Sequence, residues 1–341
     1  MNAKRKSILI IGTFSKGALE NQFVRGFENL GLQVHKFDII MESLFFSNNI
    51  FKKIRSKFYR PFFLQKKNSE LMKYCSVLKP DIILIFKGMN IYPETVKTLK
   101  TYTQIICNYN PDHPFLFFSK GSGNSFVKDS IPYYDIYISY SSSITEKLKT
   151  IYNTNAYCIP FGYDETVKTF YTPEVSDDFV FIGAWDKERE AFFNKLPKLP
   201  IKIFGPAWEK SKSFSYTYYQ HKSLLENEYY STSFSALGSI NLLRKQNIVE
   251  DSYNMRTFEV PGVGGLLISQ RTEEQLKFFE ENKEAIYFSD LDELIDKIRA
   301  IKKGLFNVDQ IKKNALSRSL RSNYSYQCRV KDLNSIFSAY F

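Results

Sequence analysis

Short apolar runs recur along the chain, and amphipathic stretches lie between them. Ser7–Ile11 reads as a buried strand, followed by a glycine-bearing loop from Gly12 to Gly17. Leu19, Phe23, Phe27 and Leu30 then fall at helical spacing, and Gly31 supplies the stop. Gln33–Phe37, Ile82–Phe86, Gln104–Asn108, Ile136–Ser139 and Ala156–Ile159 complete a first set of strands, with a helix over Ser143–Tyr152. Residues 162–178 lose this periodicity. It resumes with strands at Phe179–Ile182, Ile201–Phe204, Ser235–Ile240, Gly265–Ser269 and Ala285–Phe288. Thr272 with Gln275, and Ser289 with Asp292, have the spacing of capping boxes at two helix starts. Strand–helix alternation of this kind predicts an α/β protein with parallel sheets covered on both faces. Such sheets bind ligands at the carboxyl ends of their strands. The break in pattern predicts a first domain over 1–165, a linker over 166–178 and a second domain over 179–322. A last helix over 323–341 is placed to return to the first domain.

Composition narrows the picture. The 341 residues are 43% hydrophobic, enough for two cores. No run of about twenty apolar residues exists, so no transmembrane helix is expected. The Ile8–Ile11 run is too short for a signal-peptide core. Cys75, Cys107, Cys158 and Cys328 are scattered without metal-ligand spacing, which suits a reducing, cytoplasmic compartment. A net charge of +11 calls for an anionic partner: nucleic acid, a membrane face or a phosphate-bearing ligand. Ser43–Lys67 carries seven basic residues, seven aromatics and no acid. On a helix, Ile50, Phe51, Ile54 and Phe58 share one face, and Lys52, Lys53, Arg55, Lys57 and Arg60 take the rest. Such a segment fits an anionic membrane surface. A helix packed on the sheet with a solvated basic face fits equally well.

The stretch Asn254–Ser269, NMRTFEVPGVGGLLIS, holds the most chemistry. Arg256 and Glu259 stand just ahead of Gly262, Gly264 and Gly265, and an apolar strand follows. A carboxylate here can accept hydrogen bonds from two ribose hydroxyls, and a guanidinium can pair with phosphate oxygens. Glycines let backbone approach a ligand. Read from the residues alone, a glycine turn with Arg256 and Glu259 as an ion pair is as good an account. This stretch and its continuation to Phe288 resemble the C-terminal half of CgeB-like glycosyltransferases, relatives of glycosyltransferase family 4. Phe179–Arg189, Ile203–Trp208 and Ser239–Leu243 resemble upstream segments of the same half.

That resemblance implies a GT-B fold: two Rossmann-like domains facing across a cleft. It implies a glycosyltransferase taking sugar from a nucleotide-diphosphate donor, with retention of configuration. Glu259 would grip the donor ribose, and Lys187 or Arg189 would meet the diphosphate. The family has a second glutamate separated from this one by seven residues; here Asp251 stands there, one methylene shorter. The implied acceptor is a glycan, a lipid-linked sugar or a protein, and no cofactor is expected.

In the first half, Asn110, Asp112 and His113 follow a buried strand. Asp112 or His113 is placed to act as a base or to hold sugar hydroxyls; alternatively, Pro111 and Pro114 build a rigid turn that these side chains cap. Gly12 and its loop lack a P-loop ending and read as an acceptor-side contact. Asp290 and Asp292 spell the DxD of metal-dependent transferases, but they coincide with a helix start, so no metal is expected. Two rival functions remain. One is a basic nucleic-acid-binding protein, for which no recognisable motif is present, so nucleic acid is not the expected partner. The other is a sugar-nucleotide epimerase on the same architecture.

Overall fold

The computed structural model describes residues 5–39, 50–118, 121–167, 176–211, 219–224, 227–250 and 252–341, without the side chains of 50–58. Asp251, residues 43–49 of the basic segment and residues 168–175 of the expected linker lie outside the described residues. The chain forms two compact units, Met1–Pro160 with Val330–Phe341, and Phe161–Arg329.

In the first unit the strands are β1 (Ser7–Gly12), β2 (Gln33–Asp38), β3 (Ile82–Phe86), β4 (Ile105–Asn110), β5 (Ile136–Ser139) and β6 (Ala156–Cys158). Helices α1 (Leu19–Asn29), α2 (Ile50–Leu78), α3 (Pro93–Leu99), α4 (Ser125–Asp129) and α5 (Ser142–Tyr152) connect them. All pairings are parallel, in the order β2-β1-β3-β4-β5-β6. Burial on both faces explains the uninterrupted apolar runs: every residue of β3 is buried. β4 runs two residues past its expected end, so Asn110 belongs to the strand. Helix α2 buries Leu64, Asn68, Leu71 and Cys75, spaced along one face. The last helix returns within this unit, where Phe337 stacks on Phe27 and Val330 sits where a Cβ on Gly26 would point.

The second unit contains β7 (Phe179–Ile182), α6 (Lys187–Asn194), β8 (Ile201–Phe204), α7 (Asn227–Ser235), β9 (Gly238–Asn241), α8 (Lys245–Val249) and α9 (Arg256–Gly262). It continues with β10 (Leu267–Gln270), α10 (Glu273–Phe278), β11 (Ile286–Phe288), α11 (Leu291–Lys302), α12 (Val308–Arg321) and the start of α13 (Tyr326–Ser338). Its parallel order is β11-β10-β9-β7-β8. β9 begins three residues later than the sequence pattern suggests, because α7 continues through Ser235. Thr272 caps α10 on the Gln275 amide as expected. At α11 the cap is Asp290, on the Glu293 amide, one residue later than Ser289.

Both sheets are wound alike. The first strand of each places the second on one side and the third on the other. The strand order therefore reverses between β1 and β3, and again between β7 and β9. These reversals are the positions where open α/β sheets hold ligands, beyond the strands' carboxyl ends.

Candidate functional site

Beyond β7 the chain turns through Ala184 and Trp185 into α6, whose N-cap Asp186 accepts from the Arg189 amide at 2.9 Å. Glu190 accepts from Trp185 Nε1 at 2.7 Å and from Ser211 Oγ at 2.6 Å, which pins the turn. Beyond β9, Leu243 N donates to the Gln270 side chain at 2.7 Å, tying this second turn to the end of β10.

Arg189 spans the two turns. Its Nη1 donates to the carbonyl of Ala184 at 2.9 Å and its Nη2 to that of Leu242 at 3.3 Å. The guanidinium lies against the Phe181 ring, 5.2 Å from its centroid, and the residue is only 6% exposed. Burial, with the positive charges of Arg256 and Arg244, lowers its pKa to about 10 against the opposing pull of Asp186. Thus Arg256 and Arg244 both lie close enough to Arg189 to repel it at this switch point. Arg244 is exposed, and Arg256 is the first residue of α9 with its Nε buried and without a hydrogen-bond partner. No carboxylate pairs with either among the described residues. Lys187 is exposed at the start of α6.

Glu259 lies in the first turn of α9, the helix that precedes the glycine turn. The ion pair with Arg256 that would have explained both residues blandly is not formed. Instead Glu259 Oε2 accepts from the Tyr229 hydroxyl at 2.8 Å. Burial pushes the Glu259 carboxyl up, Arg256 and the Tyr229 hydroxyl hold it down, and Asp164 adds to the upward push. The start of α9 is set by amides: Asn254 and Asn241 exchange two hydrogen bonds, at 2.8 and 3.1 Å, and Asn254 Oδ1 accepts from Arg256 N at 3.0 Å. Asn241 also donates to Ser269 at 3.1 Å, and Ser269 and Thr257 both donate to Gln275. Sequence reasoning missed Tyr229, Asn241 and Asn254, which no spacing pattern marks.

The three glycines after Glu259 face protein rather than open space. A Cβ on Gly262 would enter the Tyr163 ring, and one on Gly265 would lie 2.5 Å from the Ser233 carbonyl oxygen. Gly264 takes φ +80°, the left-handed region glycine permits. Packing and turn geometry account for all three.

The first unit's switch point has different chemistry. After β1, Thr13 donates its amide to Glu20 Oε1 at 2.9 Å and its hydroxyl to the same oxygen at 3.3 Å. The Gly12 position is pressed on the Glu20 side chain, where a Cβ would come within 2.6 Å. The loop expected to contact an acceptor is thus already occupied by a carboxylate. Burial pushes the Glu20 carboxyl up, while the Thr13 amide and Lys87 hold it down. After β3, Lys87 pairs with Asp112 at 2.5 Å and donates to the Gly121 carbonyl at 2.7 Å.

His113 is corrected as a candidate base. Its Nδ1 accepts from the amides of Phe115 and Leu116 at 3.1 and 3.0 Å, and the ring is 1% exposed. The lone pair a base needs is taken, and the imidazole holds its turn. Asn110 is also structural: it donates to Tyr137 at 3.0 Å and accepts from the Asp112 amide at 3.0 Å. Asp112, partly exposed, keeps its place as a candidate contact. Asp290 spends one carboxylate oxygen on the Glu293 amide at 2.9 Å.

Residues 188–335 match the model of a family described as glycosyl transferase-like. No curated protein matches the chain in sequence. Among solved structures, sucrose-phosphate synthase from Thermosynechococcus elongatus is similar with a TM-score of 0.69 at 11% identity, over 98% of this chain and 99% of that one. Anabaena HepE in complex with UDP-glucose gives 0.65 at 9%, over 98% and 99%. A Listeria monocytogenes protein described as a UDP-N-acetylglucosamine 2-epimerase gives 0.59 at 12%, over 97% and 95%. These likenesses span nearly the whole chain, and the fold is GT-B.

Proposed function

We propose that this protein is a glycosyltransferase whose second unit binds a nucleotide-diphosphate sugar at the β7–β9 switch point. The observation that carries the reading is the guanidinium cluster there. Arg244 and Arg256 repel Arg189, and neither forms an ion pair with a carboxylate among the described residues, an arrangement that a diphosphate would relieve. Arg189 fixes the two turns, Lys187 stands at the rim, and Glu259 offers carboxylate oxygen to ribose hydroxyls. Departure of the nucleoside diphosphate would then be stabilised by fixed positive charge. The glycosyl transferase-like match covers Arg189, Arg244, Arg256 and Glu259, and a fold relative holds UDP-glucose, so UDP-sugars are the first donors to test.

Our finer reading is a CgeB-like enzyme that retains anomeric configuration and acts on a glycan, lipid-linked or protein acceptor, with Asp112 among the acceptor contacts. We expect transfer to need no cofactor and no metal, so it should survive excess EDTA; loss restored by manganese or magnesium would reverse that point. Among the described residues no helix is long and apolar enough to cross a membrane. Tyr59, Arg60 and Phe62 on α2 are exposed, which supports peripheral binding through the segment 43–67 to an anionic surface. Replacing Lys52, Lys53, Arg55 and Lys57 by Gln should release the protein from anionic vesicles; a wild type that ignores such vesicles at low salt would end this idea.

The epimerase among the fold relatives supports a second reading, conversion of the nucleotide sugar itself. Incubation with a panel of nucleotide sugars separates the two. A transferase releases nucleoside diphosphate and builds a glycosidic bond whose configuration NMR reads. An epimerase returns an isomeric nucleotide sugar without acceptor. Neither product, with no binding of any donor, would overturn the proposal.

A further inference from the structure

Tyr229 is not explained by packing alone. Its ring lies on the side of the second sheet with Val180, Ile182 and Leu224, and it meets Tyr230 edge-on at 5.0 Å. Its hydroxyl nevertheless points to Glu259 and donates to one oxygen, Oε2, at 2.8 Å. The other oxygen, Oε1, makes no hydrogen bond among the described residues. A carboxylate with one oxygen anchored and the other unpartnered is set for an incoming hydroxyl.

We propose that Tyr229 is the positioning residue of the donor site, anchoring Glu259 through Oε2 so that Oε1 is presented to a hydroxyl of the bound nucleotide sugar. This rests on the reading of the β7–β9 switch point as the donor site. The phenol does two things. It fixes the rotation of the carboxyl group, and it favours the charged form, because a donated hydrogen bond stabilises a carboxylate more than a carboxylic acid. Glu259 needs that support, since burial and Asp164 both work against its charge.

Among the described residues, three charged or titratable groups act on Glu259. Arg256 comes from its own helix, Tyr229 from α7, and Asp164 from the segment after β6. On α12, Lys312 donates to the carbonyls of Phe234 and Ala236, and Arg318 to that of Phe278, so their charge is spent elsewhere. Removing the phenol hydroxyl leaves Arg256, among the described residues, to keep Glu259 charged.

The test is calorimetric titration with UDP-glucose between pH 5 and 8, a range in which its diphosphate does not titrate. A group with a raised pKa that must be ionised to bind gives affinity above that pKa and loses it as pH falls. Wild-type affinity should therefore decline toward acid. Tyr229→Phe, which keeps the ring and hence the packing, should move the midpoint of the decline upward by about one pH unit, the worth of one hydrogen bond to a charged group. Glu259→Gln should abolish the decline and bind weakly throughout. Lower affinity of Tyr229→Phe at every pH with an unmoved midpoint would reduce Tyr229 to packing and overturn the proposal. Failure of the wild type to bind any nucleotide sugar at any pH would instead be failure of the donor reading, and would remove the proposal with it.

Discussion

Between β7 and β9 the second sheet ends in guanidinium groups, whereas between β1 and β3 the first ends in a carboxylate and an ion pair. The winding of the two sheets is the same, so the difference comes from a few side chains in the turns. In the second unit Arg189 bonds the carbonyls of both turns and lies near Arg244 and Arg256. In the first, Glu20 takes the amide of Thr13, the group a phosphate would otherwise use, and Asp112 takes Lys87. Topology thus supplies two equivalent crevices, and their side chains differ in charge. A phosphate beside Glu20 would face a carboxylate. The site argument therefore belongs to the turns and not to the fold.

The largest expected effect of breaking this comparison is at Arg189. Arg189→Ala leaves two carbonyls without their charged donor, and hydrogen bonds to charged groups contribute roughly 1.5–3 kcal/mol each. Denaturant unfolding should show a loss of about 3 kcal/mol, and donor binding should fall with it. Arg244→Ala is the control. Being exposed, it should unfold like the wild type yet bind donor more weakly. Equal stability of Arg189→Ala and wild type would mean the guanidinium does not hold the turns.

Glu259→Ala should weaken donor binding by about 2–3 kcal/mol without unfolding the protein; unchanged nucleotide affinity would remove Glu259 from the site. Gly262→Ala should act on stability instead. Its Cβ would enter the Tyr163 ring, and overpacking of this kind costs about 1–3 kcal/mol. Below its melting temperature it should bind donor as the wild type does. Lost affinity with unchanged stability would restore the idea that Gly262 makes room for a ligand.

The smallest effect on donor binding is expected at Glu20, where Gln keeps an acceptor for the Thr13 amide. Its effect should appear in stability. The folded state holds the Glu20 proton more tightly than the unfolded chain does, so its contribution is fully present below the unfolded pKa and is lost as pH rises through the folded one. Glu20→Gln should therefore gain stability relative to wild type at neutral pH and not at acid pH. A gain of the same size at both would show that its charge is not strained in place.

The strands were legible because both faces of each sheet are covered, which turns them into continuous apolar runs such as Ile82–Phe86. Arg189 and Glu259 became candidates through resemblance, since their segments have a recognisable order of residues. The rest of the site was hidden for definite reasons. Tyr229 reaches Glu259 from thirty residues away, on a helix with no distinguishing pattern. Glu20 looks like an ordinary polar residue in the first turn of an amphipathic helix, and only the turn of the chain brings it onto Thr13. His113 drew notice because it follows a buried strand, yet two neighbouring amides claim its Nδ1. The glycines after Glu259 suggested room for a ligand, but Tyr163 and Ser233 occupy that side. Pattern reports which face is buried; it does not report which partner fills it.

The central claim, that the anion belongs to the second unit's switch point, is tested most directly by titrating UDP-glucose into wild type, Arg256→Ala and Glu20→Gln under one set of conditions. Arg256 should account for a charge-assisted contact, so its loss should weaken binding by at least about tenfold. Glu20→Gln should bind as the wild type does. Equal affinity of Arg256→Ala and wild type, with the loss appearing in Glu20→Gln instead, would place the nucleotide in the other unit and contradict the account.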